Sequence, residues 1–202
     1  MNSKGDFWCK NGNVREYEIK KLRYFIRSWD PHFLGNVKKL NQCFKQIHSD
    51  IKELKNKSID QIDLENEKTK RCIEKIFNLA ARCGKKNRSE RTDASKIIHT
   101  ILPELFVMWD KEIRNRIWRK QKKDGWKKPK NDKFTGTEYA YCFLPLMQNE
   151  AKAVIKSYIK KHHGSPKKAI NGIKKEGHNY TLAKLLDEYN YVKYTLPKKK
   201  DT

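Results

Sequence analysis

Long apolar runs are missing from this sequence. No stretch of its 202 residues approaches the roughly 20 apolar residues that a membrane-crossing helix requires. Residues 1–13 hold no apolar segment of signal-peptide length, and a cytoplasmic location is the expectation. Closely paired cysteines are missing too. Cys9, Cys43, Cys72, Cys83 and Cys142 are scattered and odd in number, so they read as reduced thiols rather than a disulfide framework or a local zinc motif. His162 and His163 are adjacent, and neighbours on a helix do not share a face. Asp60, Asp63, Glu65 and Glu67 lie close together but suit the start of a helix rather than the carboxylate cluster of a metal-dependent nuclease. No metal and no cofactor is therefore expected. No alternating pattern marks a pair of strands, and nothing repeats at a fixed period.

Negative charge is also scarce. There are 24 Asp and Glu against 47 Lys and Arg, a formal net charge of +23. Such an excess repels itself unless an anion is near, which makes nucleic acid the leading partner and an anionic membrane surface the second. Lysine dominates over arginine, and ammonium groups favour sequence-independent attraction to phosphate over bidentate reading of bases.

What remains is a chain of helices. Residues 1–13 read as a flexible N-terminus, 14–196 as the helical domain and 197–202 as a basic disordered tail. A helix over about 14–29 carries Ile19, Leu22, Tyr24, Phe25, Ile26 and Trp29, and Asp30-Pro31 ends it. The next, about 34–56, is clearly amphipathic through Leu34, Val37, Leu40, Phe44, Ile47, Ile51 and Leu54. Ser58 is placed to cap a short element. A helix over about 64–82 follows, with Gly84 as its terminator. The spacing predicts further helices over about 93–102 and 110–121, and a long one over 137–162 in which Pro145 should cause a kink or mark a late start. Ser165-Pro166 opens a short helix, and Leu182, Leu185, Leu186 and Tyr189 mark one over 180–190. The fold class is all-α, with seven or eight helices in one compact domain or two packed lobes.

The stretch Thr92–Arg119 is the most informative. Ile97, Ile98, Ile101 and Leu102 give its first helix a buried stripe, and Pro103 closes that helix. Leu105–Trp109 is nearly unbroken apolar sequence and stops at Asp110, where the next helix begins. A carboxylate there accepts amide hydrogen bonds and faces the positive end of the helix dipole, which fixes its direction. It serves as a plain helix cap, or as a group that orients water or stabilises a cation at the rim of an apolar groove.

This stretch resembles the core of the helix-hairpin-helix DNA glycosylase superfamily. The spacing from Ala94 to Asp110 is that between the helix alanine and the catalytic aspartate, and Asp110-Lys111-Glu112-Ile113 keeps an aliphatic residue three positions on. The resemblance implies Asp110 as the catalytic residue and a pocket beside Trp109 for a base flipped out of the stack. It also places a DNA-gripping hairpin at the basic turn Lys85–Arg91. The lysine of the family's lyase members falls at Thr92, so lyase chemistry is not implied. Arg88 and Glu90 stand where the family's hairpin has glycines.

Candidate nucleic-acid contacts follow from charge and position. Lys85, Lys86, Arg88 and Arg91 would hold flanking phosphates. Lys96 and His99, three apart, would share a side of their helix. Arg114 lies on the basic side of the helix after Asp110, away from Ile113, Ile117 and Trp118. Lys122, Lys123, Lys127 and Lys128 surround Trp126 in a basic loop, where a ring among lysines suits base stacking. Two functions fit: a double-stranded-DNA-binding protein of glycosylase-like architecture, in its sharper form a monofunctional enzyme hydrolysing an N-glycosidic bond; and a non-catalytic interaction protein whose basic faces meet DNA, RNA or another anionic partner.

Overall fold

A computed structural model describes residues 16–29, 31, 33, 35–83, 91–122 and 135–196, with the backbone alone at 29, 118–122 and 135. The fold is all-α, with no strand among the described residues. The first five helices are α1 (Glu16–Trp29), α2 (Val37–Leu54), α3 (Glu67–Ala81), α4 (Arg91–Ile101) and α5 (Lys111–Lys122). Helix α6 starts at Thr135–Glu138, widens into a π-turn at Tyr139–Phe143 and continues through Leu144–His162. Helix α7 spans Pro166–Glu176, and α8 spans Leu182–Asn190 and ends in a second π-turn, Tyr191–Thr195. Helix α3 is central and packs against α2, α4 and the start of α6. The later part of α6 pairs with α7 and α8.

Local chemistry explains where these helices start. Asn36 Oδ1 accepts from the amide of Lys38 at 2.8 Å, and Asn66 Oδ1 from that of Thr69 at 3.2 Å. Ser165 and Thr181 do the same for the amides of Lys168 and Lys184, at 3.3 and 3.1 Å. Each cap satisfies an amide that has no partner inside its helix.

Three expectations are revised or narrowed. Ser58 does not open a helix. Residues 55–66 form turns that bury Ile59, Ile62 and Leu64. The buried side chain of Gln148 donates to the carbonyls of Ile59 and Ile62 at 3.0 and 2.6 Å, and the Ile59 amide donates to Glu104 at 3.0 Å. A distant side chain and a loop thus take the place of helical hydrogen bonds. Of the two readings of Pro145, the plain kink gives way to the late start, because the regular α-helix resumes at Leu144 with Pro145 in its first turn. It sits just beyond the π-turn, where the Leu144 amide reaches back to the Tyr139 carbonyl, so the widened turn absorbs the proline's missing donor. Tyr24, expected on the apolar face of α1, is 82% exposed, whereas Ile19, Leu22 and Ile26 are buried. The N-terminal segment, Gly84 and the basic tail lie outside the described residues. Cys43, Cys72 and Cys83 are buried free thiols, and Cys142 is a half-buried one.

The approach of α6 to α3 is the tightest feature that bears on the site. The Gly136 amide donates to Asn78 Oδ1 at 2.9 Å, and Thr137 Oγ1 donates to Glu74 Oε1 at 2.6 Å. A Cβ at Gly136 would lie 2.5 Å from the Glu74 carbonyl oxygen, a backbone atom that cannot swing away. Gly136→Ala should therefore cost about 2 kcal/mol through overpacking. The cost would appear as a lower urea midpoint at unchanged slope. An unchanged midpoint would show that the two helices part freely.

Candidate functional site

The helix–connection–helix unit forms as its pattern requires. Ile97, Ile98 and Ile101 of α4 are buried, as are Leu105, Phe106, Val107 and Trp109 in the connection. Three polar contacts fix that connection. Ser95 Oγ accepts from the Trp109 amide at 3.0 Å and donates to the Thr92 carbonyl at 2.8 Å. The Tyr139 hydroxyl donates to the Val107 carbonyl at 2.7 Å. His99 Nδ1 donates to the Phe106 carbonyl. The chain is thereby delivered to Asp110 in one direction.

Asp110 caps α5, its Oδ1 accepting from the Ile113 amide at 2.7 Å. Its other oxygen, Oδ2, accepts from Thr195 Oγ1 at 3.0 Å, a contact from the π-turn at the far end of the chain. Beside it opens a cavity of about 350 Å³, within the range of small-ligand pockets. Helix α4 lines it with Thr92, Ser95 and Lys96, the connection with Met108, Trp109 and Asp110, and α8 with Lys184, Asp187, Glu188 and Tyr191. The Trp109 ring is embedded in aromatic neighbours. It stacks on Phe143 at 5.3 Å between centroids and meets Phe77 edge-on at 5.8 Å. Its buried indole N–H has no acceptor among the described residues.

The charges of the cavity are coupled. Lys184 Nζ reaches Asp187 Oδ2 at 2.9 Å and Glu188 Oε1 at 2.6 Å. Burial raises the Asp187 carboxyl above the usual carboxylate range, more than the Lys184 ammonium lowers it, and the Asp110 charge adds to the rise. Burial acts on Lys184 in the opposite sense, yet its two carboxylate partners win and hold the ammonium pKa above normal.

The structure sorts the sequence candidates. Asp110, Trp109 and Lys96 come together on the cavity. Arg114 lies over the Trp109 ring, 5.4 Å from its centroid, and is half-buried. The Arg91 side chain is largely buried and faces Glu138 at 3.8 Å, so it braces α4 against α6. His99 is corrected. It is buried, not on a phosphate-facing side with Lys96, because the edge of the α4 core stripe falls between these two positions. Lys85, Lys86, Arg88, Lys123, Trp126, Lys127 and Lys128 lie outside the described residues, as does the side chain of Lys122, the last residue of α5. Sequence reasoning missed the α8 wall. Its signal was present: Lys184, Asp187, Glu188 and Tyr191 fall at i, i+3, i+4 and i+7, one polar face of a helix whose other face carries Leu182 and Leu186. Among the described residues no three His, Cys, Asp or Glu side chains are grouped to hold a metal, and no helix is long and apolar enough to cross a membrane.

Burial pushes the His99 pKa down to about 4. The unfolded chain, with an ordinary histidine, takes up the proton first. Stability that His99 contributes is complete above about pH 6.5 and is lost as pH falls toward 4. Between pH 7 and pH 5 this one residue should remove about 2 kcal/mol. In urea titrations, His99→Gln should lose correspondingly less over that interval than the parent. Equal losses would place the acid sensitivity elsewhere.

Comparison with known proteins brings no match: no family model, no curated protein and no solved structure matches the chain.

Proposed function

We propose that this protein binds nucleic acid, with double-stranded DNA the favoured ligand. The observation that carries the proposal is the formal net charge of +23, together with acids that are engaged internally. Asp50 pairs with Lys75 at 2.7 Å, Glu53 with Lys68 at 3.0 Å, and Glu104 with Lys174 at 2.9 Å. These pairs stitch the chain together and leave an excess of exposed lysine without acid nearby. Measured by fluorescence anisotropy, affinity for a DNA duplex should fall steeply and linearly on a log–log plot against salt. A flat salt dependence, or no binding, would overturn the proposal.

A sharper reading is favoured by the position of Asp110 beside the cavity. A nucleotide turned out of the duplex would place its base there. The Asp110 carboxylate, aimed by the α5 amide, would stabilise the oxocarbenium-like sugar and orient the attacking water as the N-glycosidic bond breaks. This is monofunctional glycosylase chemistry and needs no Schiff base. The opposing observation is that both Asp110 oxygens already have donors within the protein, as a purely structural cap would. Asp110→Asn separates the two readings. On a panel of duplexes with damaged bases, the catalytic reading expects base release by the parent and none by the variant, with duplex affinity retained or higher. Equal release by both proteins would remove Asp110 from the chemistry. Preference for an abasic-analogue duplex over intact duplex, single strand and duplex RNA is the binding signature of the same pocket.

A further inference from the structure

The α6–α7 hairpin carries an excess of positive charge that includes a regular ladder of lysines. Residues 144–176 contain eight lysines and only two glutamates. On α6, Lys152, Lys156 and Lys160 follow one another at intervals of four and are all exposed, while Ala151 and Ile155 on the inner side are buried. Their Cβ atoms are thus about 5–6 Å apart along one face. Like charges at this spacing disfavour a helix, so something other than α6 itself must account for their alignment. Past the turn at His163, which adopts a left-handed backbone with φ 50°, exposed Lys167 and Lys168 open α7. None of these five lysines has an ion-pair partner among the described residues.

The hairpin is held rigid from within. The Tyr158 hydroxyl donates to Glu176 Oε1 at 2.8 Å, and its ring stacks on His162 at 4.2 Å. Gly172 permits that contact, because a Cβ there would collide with the Tyr158 ring. The acid at the end of α7 is thereby tied to a neutral hydroxyl, and Tyr158 is not free to stack on a base.

We infer that the exposed face of the α6–α7 hairpin, centred on Lys152, Lys156 and Lys160, is a docking surface for the phosphate backbone of double-stranded DNA. The inference rests on the nucleic-acid reading above and adds where the backbone sits. Charge complementarity identifies the occupant: a row of ammonium groups about one helical turn apart, without arginine forks, suits phosphates in series and carries no base readout. The absence of a free aromatic on this stripe favours a duplex over a single strand, whose binding surfaces add rings for stacking.

The test is duplex-DNA anisotropy across a salt series with two charge-matched triple variants. Lys152→Gln/Lys156→Gln/Lys160→Gln removes the stripe. Lys38→Gln/Lys45→Gln/Lys52→Gln removes three exposed lysines of α2. The stripe variant should lower the slope of log affinity against log salt by about 3 and weaken binding about 10- to 100-fold near 0.1 M salt, with a thermal midpoint no lower than the parent's. The α2 variant should stay close to the parent. A stripe variant with the parental slope would overturn the docking surface and leave the nucleic-acid reading standing. Equal losses in both variants would reduce the effect to bulk charge and overturn the surface as well. A parent that ignores DNA, or that uses these lysines only on anionic vesicles, would overturn both proposals.

Discussion

Tyr139 has no access to water, and its hydroxyl holds the carbonyl of Val107 at 2.7 Å. Its ring stacks on Phe77 at 4.5 Å and lies within 5.6 Å of Trp109 and 5.4 Å of Phe143. One residue therefore joins α3, the π-turn of α6 and the connection that leads to Asp110. Burial pushes the phenol pKa well above its usual value, so the group stays a neutral donor. A buried carbonyl left without that donor would cost on the order of 1–3 kcal/mol. The connection's backbone bonds stop at Phe106, whose amide donates to the Leu102 carbonyl at 3.0 Å, so the path from Val107 to Trp109 depends on this clamp and on Ser95. Asp110, at its end, inherits its direction from them.

The π-turn that carries Tyr139 shows how sequence and structure part company. Pro145 signalled that α6 could not run undisturbed, and the caps at Ser165 and Asp110 were legible because each depends on one side chain and its own next turn. The same locality made α2 legible, since its apolar stripe repeats over five turns. Other features depend on partners far along the chain. Gln148 reaches Ile59 from 89 residues away, and Thr195 reaches Asp110 from 85. No local pattern announces such contacts. His99 failed for a narrower reason: a three-residue step rotates a helix enough to cross the edge of the core stripe. For the cavity, the α4 and Asp110 walls could be read, whereas the α8 wall required knowing which helix the C-terminal segment packs on.

Charge is distributed with a consistent logic. The acids that are paired hold helices together: Asp50 joins α2 to α3, Glu104 joins the connection to α7, and Glu138 meets Arg91 across α4 and α6. The more exposed of them, Glu104–Lys174, contributes little to stability. Their larger consequence is that these acids are matched one to one with cations elsewhere in the fold. The lysines of α6 and the start of α7 are left facing solvent without compensation.

The cavity has the opposite character, and this bears on how a nucleic acid would approach. Asp110, Asp187 and Glu188 bring three carboxyl groups to it, against the ammonium groups of Lys96 and Lys184. Lys184 is already committed to two of those carboxyls. A phosphate entering there would meet carboxylates it cannot displace, whereas the α6–α7 face offers it lysines alone. A neutral base, or a sugar acquiring positive charge, meets no such penalty and gains from the apolar wall of Trp109 and Met108. The molecule thus separates two environments by sign: an outer face of exposed lysines, and a cavity with three carboxyl groups beside an apolar wall. That division is what a protein gripping DNA from outside while admitting a single base would require, and it follows from which helices carry the acids.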